Sequence, residues 1–290
     1  MSLPEQTYRR GVVLVVLAGV FLSTGGLLIR FIQDANVWTV LFYRSLTFFT
    51  TVCLFLYWRD GSQFVERFKS LKPLDALVSF SLAIGFISYV LSLFNTSVAN
   101  TVLILSTGPV IAALIAWLVL RERVGKITLL AMVAAFLGVG VMMSDGIAGG
   151  DVAGLLYALL AVLSFSVMVV SLRKAANDRD MLAPTALAGL LAALLSVPFM
   201  PGLQISFHDL LCSMALGSLQ IGCGFILITL GSRTVPAAQI PLLALAETAL
   251  SPLWVWLFVN EVPASKTLIG GGIILVAVLS QSVAGAFTRR

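Results

Sequence analysis

Long apolar runs, separated by short polar segments, dominate the chain from Gly11 almost to the C-terminus. Many of these runs reach about 20 residues, the length that an α-helix needs to cross the hydrocarbon core of a bilayer. Cutting the chain at charged residues and at Gly/Pro-rich breaks predicts ten spans. They are residues 11–31, 37–58, 74–94, 98–119, 126–144, 152–172, 182–200, 208–230, 236–259 and 266–285. The pattern therefore predicts an all-α integral membrane protein with about ten transmembrane helices.

Composition agrees with this prediction. The chain is 59% hydrophobic and only 11% charged, whereas soluble domains carry about 25% charged residues, so it has too little polar surface to cover itself in water. The first run, 11–29, is also longer than the roughly 7 to 15 apolar residues of a signal-peptide core. We therefore expect this run to be retained as the first membrane helix.

The basic residues give the expected orientation. An even number of spans puts both termini on one side of the membrane, and every Lys and Arg except Arg30, Arg44 and Lys266 then lies in a segment on that side. Basic loops stay on the cytoplasmic side of a membrane. We therefore expect both termini to be cytoplasmic.

Segments of the second half of the chain resemble segments of the first half at similar offsets, 139 and 143 residues. Trp117–Glu122 matches Trp256–Glu261 in its Trp-Leu pair and its final Glu, and Arg30 at the end of the first span matches Arg173 at the end of the sixth. These matches predict an internal duplication, which one looks for before naming a fold.

The duplication divides the chain into a first half at 1–147 and a second at 148–290, each with five predicted spans. Because five is odd, the second half enters the bilayer upside down relative to the first. Inverted repeats are common in secondary transporters, whose substrate sites lie near the bilayer midplane between the repeats. We therefore predict two inverted five-helix repeats.

Three stretches carry a resemblance to a known family. They are the helix Ile111–Glu122 followed by a Gly-containing helix, its second copy Ala246–Glu261 followed by Gly270-Gly-Gly-Ile-Ile, and Phe42-Tyr-Arg-Ser in the second span. With these the whole chain resembles the drug/metabolite transporter superfamily, and within it the ten-helix EamA-type exporters. General likeness and length are also similar to the YddG-type exporters of aromatic amino acids.

The resemblance implies alternating access through a central cavity built by the first, third, fourth, sixth, eighth and ninth helices. It also implies export of small metabolites across the inner (plasma) membrane of a bacterial cell. One departure is visible: the family often has Glu-Pro early in the ninth helix, but Glu247 here is followed by Thr248. The first half keeps Pro109 at the equivalent place, and Pro252 could supply a kink in the ninth helix.

Two ionisable residues lie well inside predicted spans, where a charge is costly unless it is paired or hydrated. Glu247, near the middle of the ninth helix, either binds a substrate ammonium or a proton, or it only fixes helix packing. Arg44, about two turns into the second helix, either meets a carboxylate or closes a gate, or is structural. We interpret Arg44 as structural or gating, since the resemblance places a similar Arg outside the cavity-lining helices.

Helical spacing places Gln239, Glu247 and Trp254 on one face of the ninth helix. An acid, an amide and a large aromatic on one stripe suit an amino acid or an amine. Small residues at helical spacing also let membrane helices approach closely, so the Ser positions on other helices keep both interpretations. The further candidates for substrate binding are Ser23, Tyr89, Asn100, Tyr157, Ser166 and Gln220.

Enzymatic function is disfavoured by the motifs that the chain lacks. Its single histidine, His208, lies at a helix end without an HExxH or GxSxG motif, and its three cysteines form no CxxC pair. No GxxxxGK[ST] loop for a nucleotide is present. We therefore expect neither a catalytic residue nor a metal or other cofactor.

Secondary transport of a zwitterion remains, with amino acids as the expected cargo and aromatic ones favoured. A sugar-phosphate exchanger of the same superfamily is one alternative, although phosphates call for several basic residues in a cavity and the membrane core holds Arg44 alone. A drug or amine exporter is another alternative. The expected partners are a small-molecule substrate and the lipid bilayer, without nucleic acid, and the sequence is compatible with a monomer. Proton coupling would have to run through Glu247.

Overall fold

The computed structural model describes residues 3–121, 126–149, 151–174, 182–231, 234–235 and 240–287, and these form an all-helical structure. Its helices are α1 Leu3–Ser23, α2 Gly25–Arg30, α3 Val37–Asp60, α4 Phe64–Lys69, α5 Pro73–Asn95, α6 Val98–Leu105, α7 Gly108–Leu120, α8 Lys126–Gly149, α9 Val152–Lys174, α10 Leu182–Ser196, α11 Phe207–Ala215, α12 Gly224–Gly231, α13 Ile240–Val259 and α14 Ser265–Phe287. A π-helical segment, Leu216–Cys223, joins α11 to α12.

Seven helical segments within the described residues are long and apolar enough to cross a membrane, which confirms a multi-pass, all-helical membrane protein. They are Tyr8–Arg30, Val37–Asp60, Pro73–Asn95, Val98–Val119, Val152–Ser171, Leu182–Phe199 and Phe207–Gly231. The other three predicted spans coincide with shorter apolar stretches in α8, α13 and α14. The total of ten spans therefore stays a prediction.

Two of the spans are broken in the middle. Between α1 and α2, the hydroxyls of Ser23 and Thr24 donate to the carbonyls of Val20 and Phe21, each at 2.7 Å. Such back-bonding competes with the helical ladder and bends helices. The Ser23 hydroxyl and the Leu22 carbonyl at this break accept hydrogen bonds from other helices.

The fourth predicted span is broken between α6 and α7, where Ser106 and Thr107 donate back to Leu103 and Ile104 in the same way. Pro109 lies in the first turn of α7, where a missing N–H costs no helical hydrogen bond. In the ninth predicted span, by contrast, α13 runs through Pro252 without interruption.

Helix packing separates a main core from a peripheral pair. In the main core α5 packs against α9 and α10, α3 against α10 and the π segment, and α1 against α12 and α13. The long helices α8 and α14 pair with each other and cover α6, α7 and α9 through a second apolar cluster. Exposed leucines such as Leu130, Leu137 and Leu257 lie on the surface, as expected for a lipid-facing wall.

The start of α11 is anchored to the loop between α2 and α3 by a buried carboxylate. Asp209 accepts hydrogen bonds from the backbone N–H groups of Gln33, Asp34 and Ala35 at 2.9, 3.0 and 2.9 Å. Ser206 caps the same helix by accepting from the Asp209 N–H at 3.1 Å. The carboxylate thus fixes one end of the bundle across a long stretch of sequence.

We expect Asp209→Ala to destabilise the protein without touching the central residues. Hydrogen bonds to a charged group contribute about 1.5–3 kcal/mol each and are not additive, so a net loss of roughly 3 kcal/mol should lower Tm by about 10 °C. Thermal unfolding in detergent measures the change. The matched control is Asp34→Ala, because the Asp34 side chain is exposed and the backbone N–H is retained. Equal Tm values for the two variants would contradict the anchoring role.

Candidate functional site

Side chains from four parts of the fold meet at the break between α1 and α2. Trp254 of α13 donates from its indole Nε1 to the Ser23 hydroxyl at 3.0 Å. Gln220 of the π segment donates from Nε2 to the Leu22 carbonyl at 3.3 Å. The α1–α2 break, α13 and the π segment therefore meet at one place. π-Helical turns such as the one that carries Gln220 often occur at functional sites.

Gly25, the first residue of α2, allows the closest of these approaches. A Cβ at this position would lie 2.8 Å from Tyr89 Oη and 3.0 Å from Gln220 Nε2, closer than such atoms normally pack. The glycine therefore lets the α5 tyrosine and the π-segment glutamine come against the backbone of the break. We call Ser23, Tyr89, Gln220, Glu247 and Trp254 the central cluster.

Glu247 of α13 belongs to this cluster through its effect on Tyr89. The carboxyl group acts electrostatically on the Tyr89 hydroxyl, and Glu247 lies about two helical turns before Trp254 on the same face. Glu247 itself is half-buried.

Arg44 of α3 lies beside the central cluster. Only 1% of this residue is exposed, and its guanidinium carbon is 5.5 Å from the Phe86 ring centre and 6.0 Å from that of Tyr89. A Cβ on Gly217 would overlap the Arg44 carbonyl oxygen, so this glycine lets the π segment pack directly on the α3 backbone. The structure places its guanidinium beside Tyr89, and the interpretation of Arg44 as structural or gating stays a prediction.

Several buried polar atoms of this region have no hydrogen-bond partner among the described residues. They are Arg44 Nε and Nη2, Tyr89 Oη, Gln220 Oε1 and Ser251 Oγ. Buried polar groups are normally satisfied, so a concentration of such atoms marks a place where a polar ligand can bind. Together they offer donors, acceptors and, with Glu247, both signs of charge.

The other predicted site residues lie apart from these contacts. Asn100 donates to Thr96 Oγ1 at 3.0 Å and accepts from Thr267 Oγ1 at 2.7 Å, which ties α6 to α14. Ser166 donates to the Gly108 carbonyl at 3.3 Å, at the break between α6 and α7. Tyr157 is half-buried against the main core.

Gln239 lies outside the described residues. For all nine predicted binding residues, a role in substrate binding stays a prediction. No group of three His, Cys, Asp or Glu side chains that could hold a metal occurs in the described part of the chain.

An ion pair that the sequence interpretation did not single out joins several helix ends. Arg30, the last residue of α2, contacts Glu261 with Nε to Oε2 at 2.6 Å. Its other nitrogens donate to the carbonyls of Leu93 and Thr96 at 2.6 and 2.8 Å, and Glu261 Oε1 accepts from the Val98 N–H at 2.9 Å. We call Arg30 and Glu261 the latch. The sequence signal for this ion pair was a basic residue and an acidic residue at the ends of two predicted spans. The sequence analysis used both residues only as evidence for the repeat.

Membrane-spanning helices around a buried polar cluster define a polytopic membrane protein. The model of the EamA-like transporter family matches the chain at residues 9–144 and again at 152–282. The chain therefore belongs to the EamA-like transporter family.

Similar proteins agree with this membership. The chain is 27% identical over 190 residues to the uncharacterized transporter YwfM of Bacillus subtilis strain 168, which covers 64% of each chain. It is 28% identical over 141 residues to an uncharacterized transporter of Archaeoglobus fulgidus, which covers 49% of this chain and 50% of that one. The matched region thus spans between half and two thirds of these relatives.

A solved structure, described only as the crystal structure of a protein, superposes with a TM-score of 0.67. The superposition covers 97% of this chain and 99% of that one at 18% identity. At this identity the likeness supports the fold alone.

Proposed function

We propose that this transporter exports small zwitterionic metabolites, namely amino acids with aromatic ones favoured, by alternating access through a central cavity. The observation that carries the proposal is the central cluster, in which an acid, an indole and neutral hydrogen-bonding groups meet at a helix break inside the bundle. A carboxylate held within membrane-spanning helices is costly, and a substrate ammonium would offset that cost. The indole of Trp254 offers an apolar face for a substrate ring.

The charges of the region disfavour the sugar-phosphate alternative. Phosphate recognition uses several charge-assisted contacts from Arg or Lys. None of the seven described spans contains a lysine, and Arg44 is the arginine that contacts the cluster. One cation opposed by one carboxylate suits a zwitterion better than a dianion. A drug or amine exporter would use Glu247 but would have no need of Arg44.

For alternating access we propose an architecture of two inverted repeats, residues 1–147 and 148–290. The packing supports the relation between the halves. The third predicted span, α5, packs on the sixth, α9. The equivalent spans in the opposite repeats are the eighth, which contains α12, and the first, α1, and these two also pack on each other. The fourth packs on the sixth as the ninth packs on the first.

The lengths of α8, α13 and α14 support the proposed total of ten spans. These helices have 24, 20 and 23 residues. At 1.5 Å per residue, about 20 residues cross a hydrocarbon core.

We place the transporter in the bacterial inner membrane with both termini in the cytoplasm, because basic residues concentrate in the loops of that side. The latch then lies at the outer face, where it ties the end of α2 to the start of α6 and the segment after α13. A closed outer face is one of the two states that alternating access requires. We expect the carrier to work as a monomer without a cofactor.

The test of the substrate class is uptake of labelled phenylalanine, tryptophan, threonine and glucose 6-phosphate into proteoliposomes, with and without a pH gradient. We expect phenylalanine and tryptophan to enter faster than threonine, and glucose 6-phosphate to remain at the level of protein-free liposomes. Accumulation driven by the gradient would add proton coupling. Sugar-phosphate flux without amino-acid flux would overturn the proposal.

A pair of tryptophan variants makes the same assay specific for the site. Trp254→Leu removes the indole that donates to Ser23. We expect aromatic flux to fall by up to about tenfold, because an aromatic contact contributes roughly 0.5–1.5 kcal/mol and 1.4 kcal/mol is a factor of ten. Trp256→Leu is the matched control, because Trp256 lies on the same helix with 51% of its surface exposed. Equal losses in the two variants would argue against ring binding at Trp254.

A further inference from the structure

Arg44 is a buried cation whose hydrogen-bonding capacity is largely unused. Its Nε and Nη2 atoms are buried and lack a partner among the described residues. Removing a charge from water is costly unless the charge is paired and hydrogen-bonded. A purely structural arginine in a membrane helix would be expected to bond carbonyl oxygens or a carboxylate.

Other arginines of the same structure behave in that expected way. Arg30 bonds Glu261 and two carbonyl oxygens, and Arg59 at the other end of α3 makes two bonds to Asp60 at 2.7 Å. Arg44 contacts two aromatic rings instead. Aromatic faces stabilise a guanidinium without using its N–H groups, so these groups stay available to a ligand.

The neighbours of Arg44 narrow the class of ligand. Tyr89, whose ring lies beside the guanidinium, carries a second unpartnered group at its hydroxyl. That hydroxyl points to Gly25 and Gln220, and Glu247 acts on it electrostatically. Arg44 lies beside the Tyr89 ring and Glu247 acts on the Tyr89 hydroxyl, so opposite charges act on the same region.

We propose that Arg44 is the residue that recognises the substrate carboxylate, while Glu247 holds the ammonium group. The planar fork of a guanidinium matches the two oxygens of a carboxylate, and the Tyr89 hydroxyl adds a third donor. This inference rests on the proposed amino-acid function and identifies Arg44 as the residue that distinguishes amino acids from amines. It replaces the sequence interpretation of Arg44 as structural or gating.

The test compares two ligands that differ only in the carboxylate, phenylalanine and phenethylamine. Their binding to the purified full chain in detergent is measured by the ligand-induced rise in Tm. We expect the wild type to bind phenylalanine at least about tenfold more tightly than phenethylamine. Arg44→Gln should bind the two ligands within about twofold of each other and leave the affinity for phenethylamine unchanged.

Arg59→Gln is the matched control, because it removes an arginine from the same helix away from the cluster and should keep the wild-type ratio. If Arg44→Gln does not fold, Arg44→Lys keeps the charge but loses the fork, and it should weaken phenylalanine binding selectively. Equal weakening of both ligands in either variant would overturn the assignment. Failure of the wild type to bind either ligand would contradict the amino-acid proposal itself, which separates the two failures.

Discussion

Glu247→Gln is expected to lower phenylalanine transport about 100-fold. The substitution keeps the shape of the side chain but removes the charge that is proposed to hold the substrate ammonium. Breaking a buried charge pair costs about 3–5 kcal/mol, and each 1.4 kcal/mol is a factor of ten, so 100-fold lies at the low end of the range. Initial rates of phenylalanine uptake into proteoliposomes measure the effect.

The matched control for this variant is Glu66→Gln, which makes the same exchange at an exposed ion pair with Lys69 on α4. The control should transport at the wild-type rate. Both variants should also keep the wild-type Tm, since Glu247 makes no described hydrogen bond that the amide would break. Wild-type transport by Glu247→Gln would remove Glu247 from the site and leave Arg44 without its proposed counterpart.

The second large effect is expected at the latch. Glu261→Gln weakens the contact to Arg30 and to the Val98 N–H, which together hold the proposed outer face closed. Both side chains are about one quarter exposed, 23% and 24%, so solvent screens the pair and a loss of about 1.4 kcal/mol is reasonable. Such a loss corresponds to a tenfold shift toward the outward-open state.

A cysteine introduced by Thr24→Cys reports this shift, because Thr24 lies at the break between α1 and α2. In a background without the three native cysteines, a membrane-impermeant maleimide added to intact cells should label it about tenfold faster when Glu261→Gln is present. Glu66→Gln again serves as the control and should leave the rate unchanged. An unchanged rate in the Glu261→Gln protein would show that the latch does not set the conformational equilibrium.

Hydropathy was sufficient to predict where most helices lie. Runs of apolar residues must be buried in lipid or protein, and their lengths fix the spans, so seven segments agree with the predicted positions. The breaks inside spans were harder to predict. Pro109 gave a signal for the α6–α7 break. Ser23 also fitted close helix packing, and only the fold reveals that Ser23, Thr24 and Gly25 lie at a helix break.

The central cluster could be predicted residue by residue, but its assembly could not. Helical periodicity identified Ser23, Tyr89, Gln220 and Trp254 on separate helices. Their mutual contacts depend on how those helices pack, and a single sequence does not show that packing. The sequence also did not show which face of α3 meets α5. The interpretation of Arg44 therefore followed the family resemblance.

Asn100 shows a further limit of the sequence. Asn100 was selected because a buried amide needs partners, and a water-filled cavity is one source of them. In the structure Thr96 and Thr267 supply those partners, and Thr267 comes from a helix distant in sequence. A buried polar residue thus predicts a partner but not its identity.

Arg44 also has a consequence for the synthesis of the protein. An arginine inside a span raises the insertion free energy, by at most about 2.5–3.5 kcal/mol at the centre, and the span that carries Arg44, Val37–Asp60, has the lowest mean hydropathy of the seven, 1.5. The aromatic rings that cover Arg44 come from α5, the next long helix to leave the ribosome, and the π segment that packs on its backbone comes much later. The second span is therefore expected to enter the bilayer together with the third. It is expected to reach its final packing only after the C-terminal half has been synthesised.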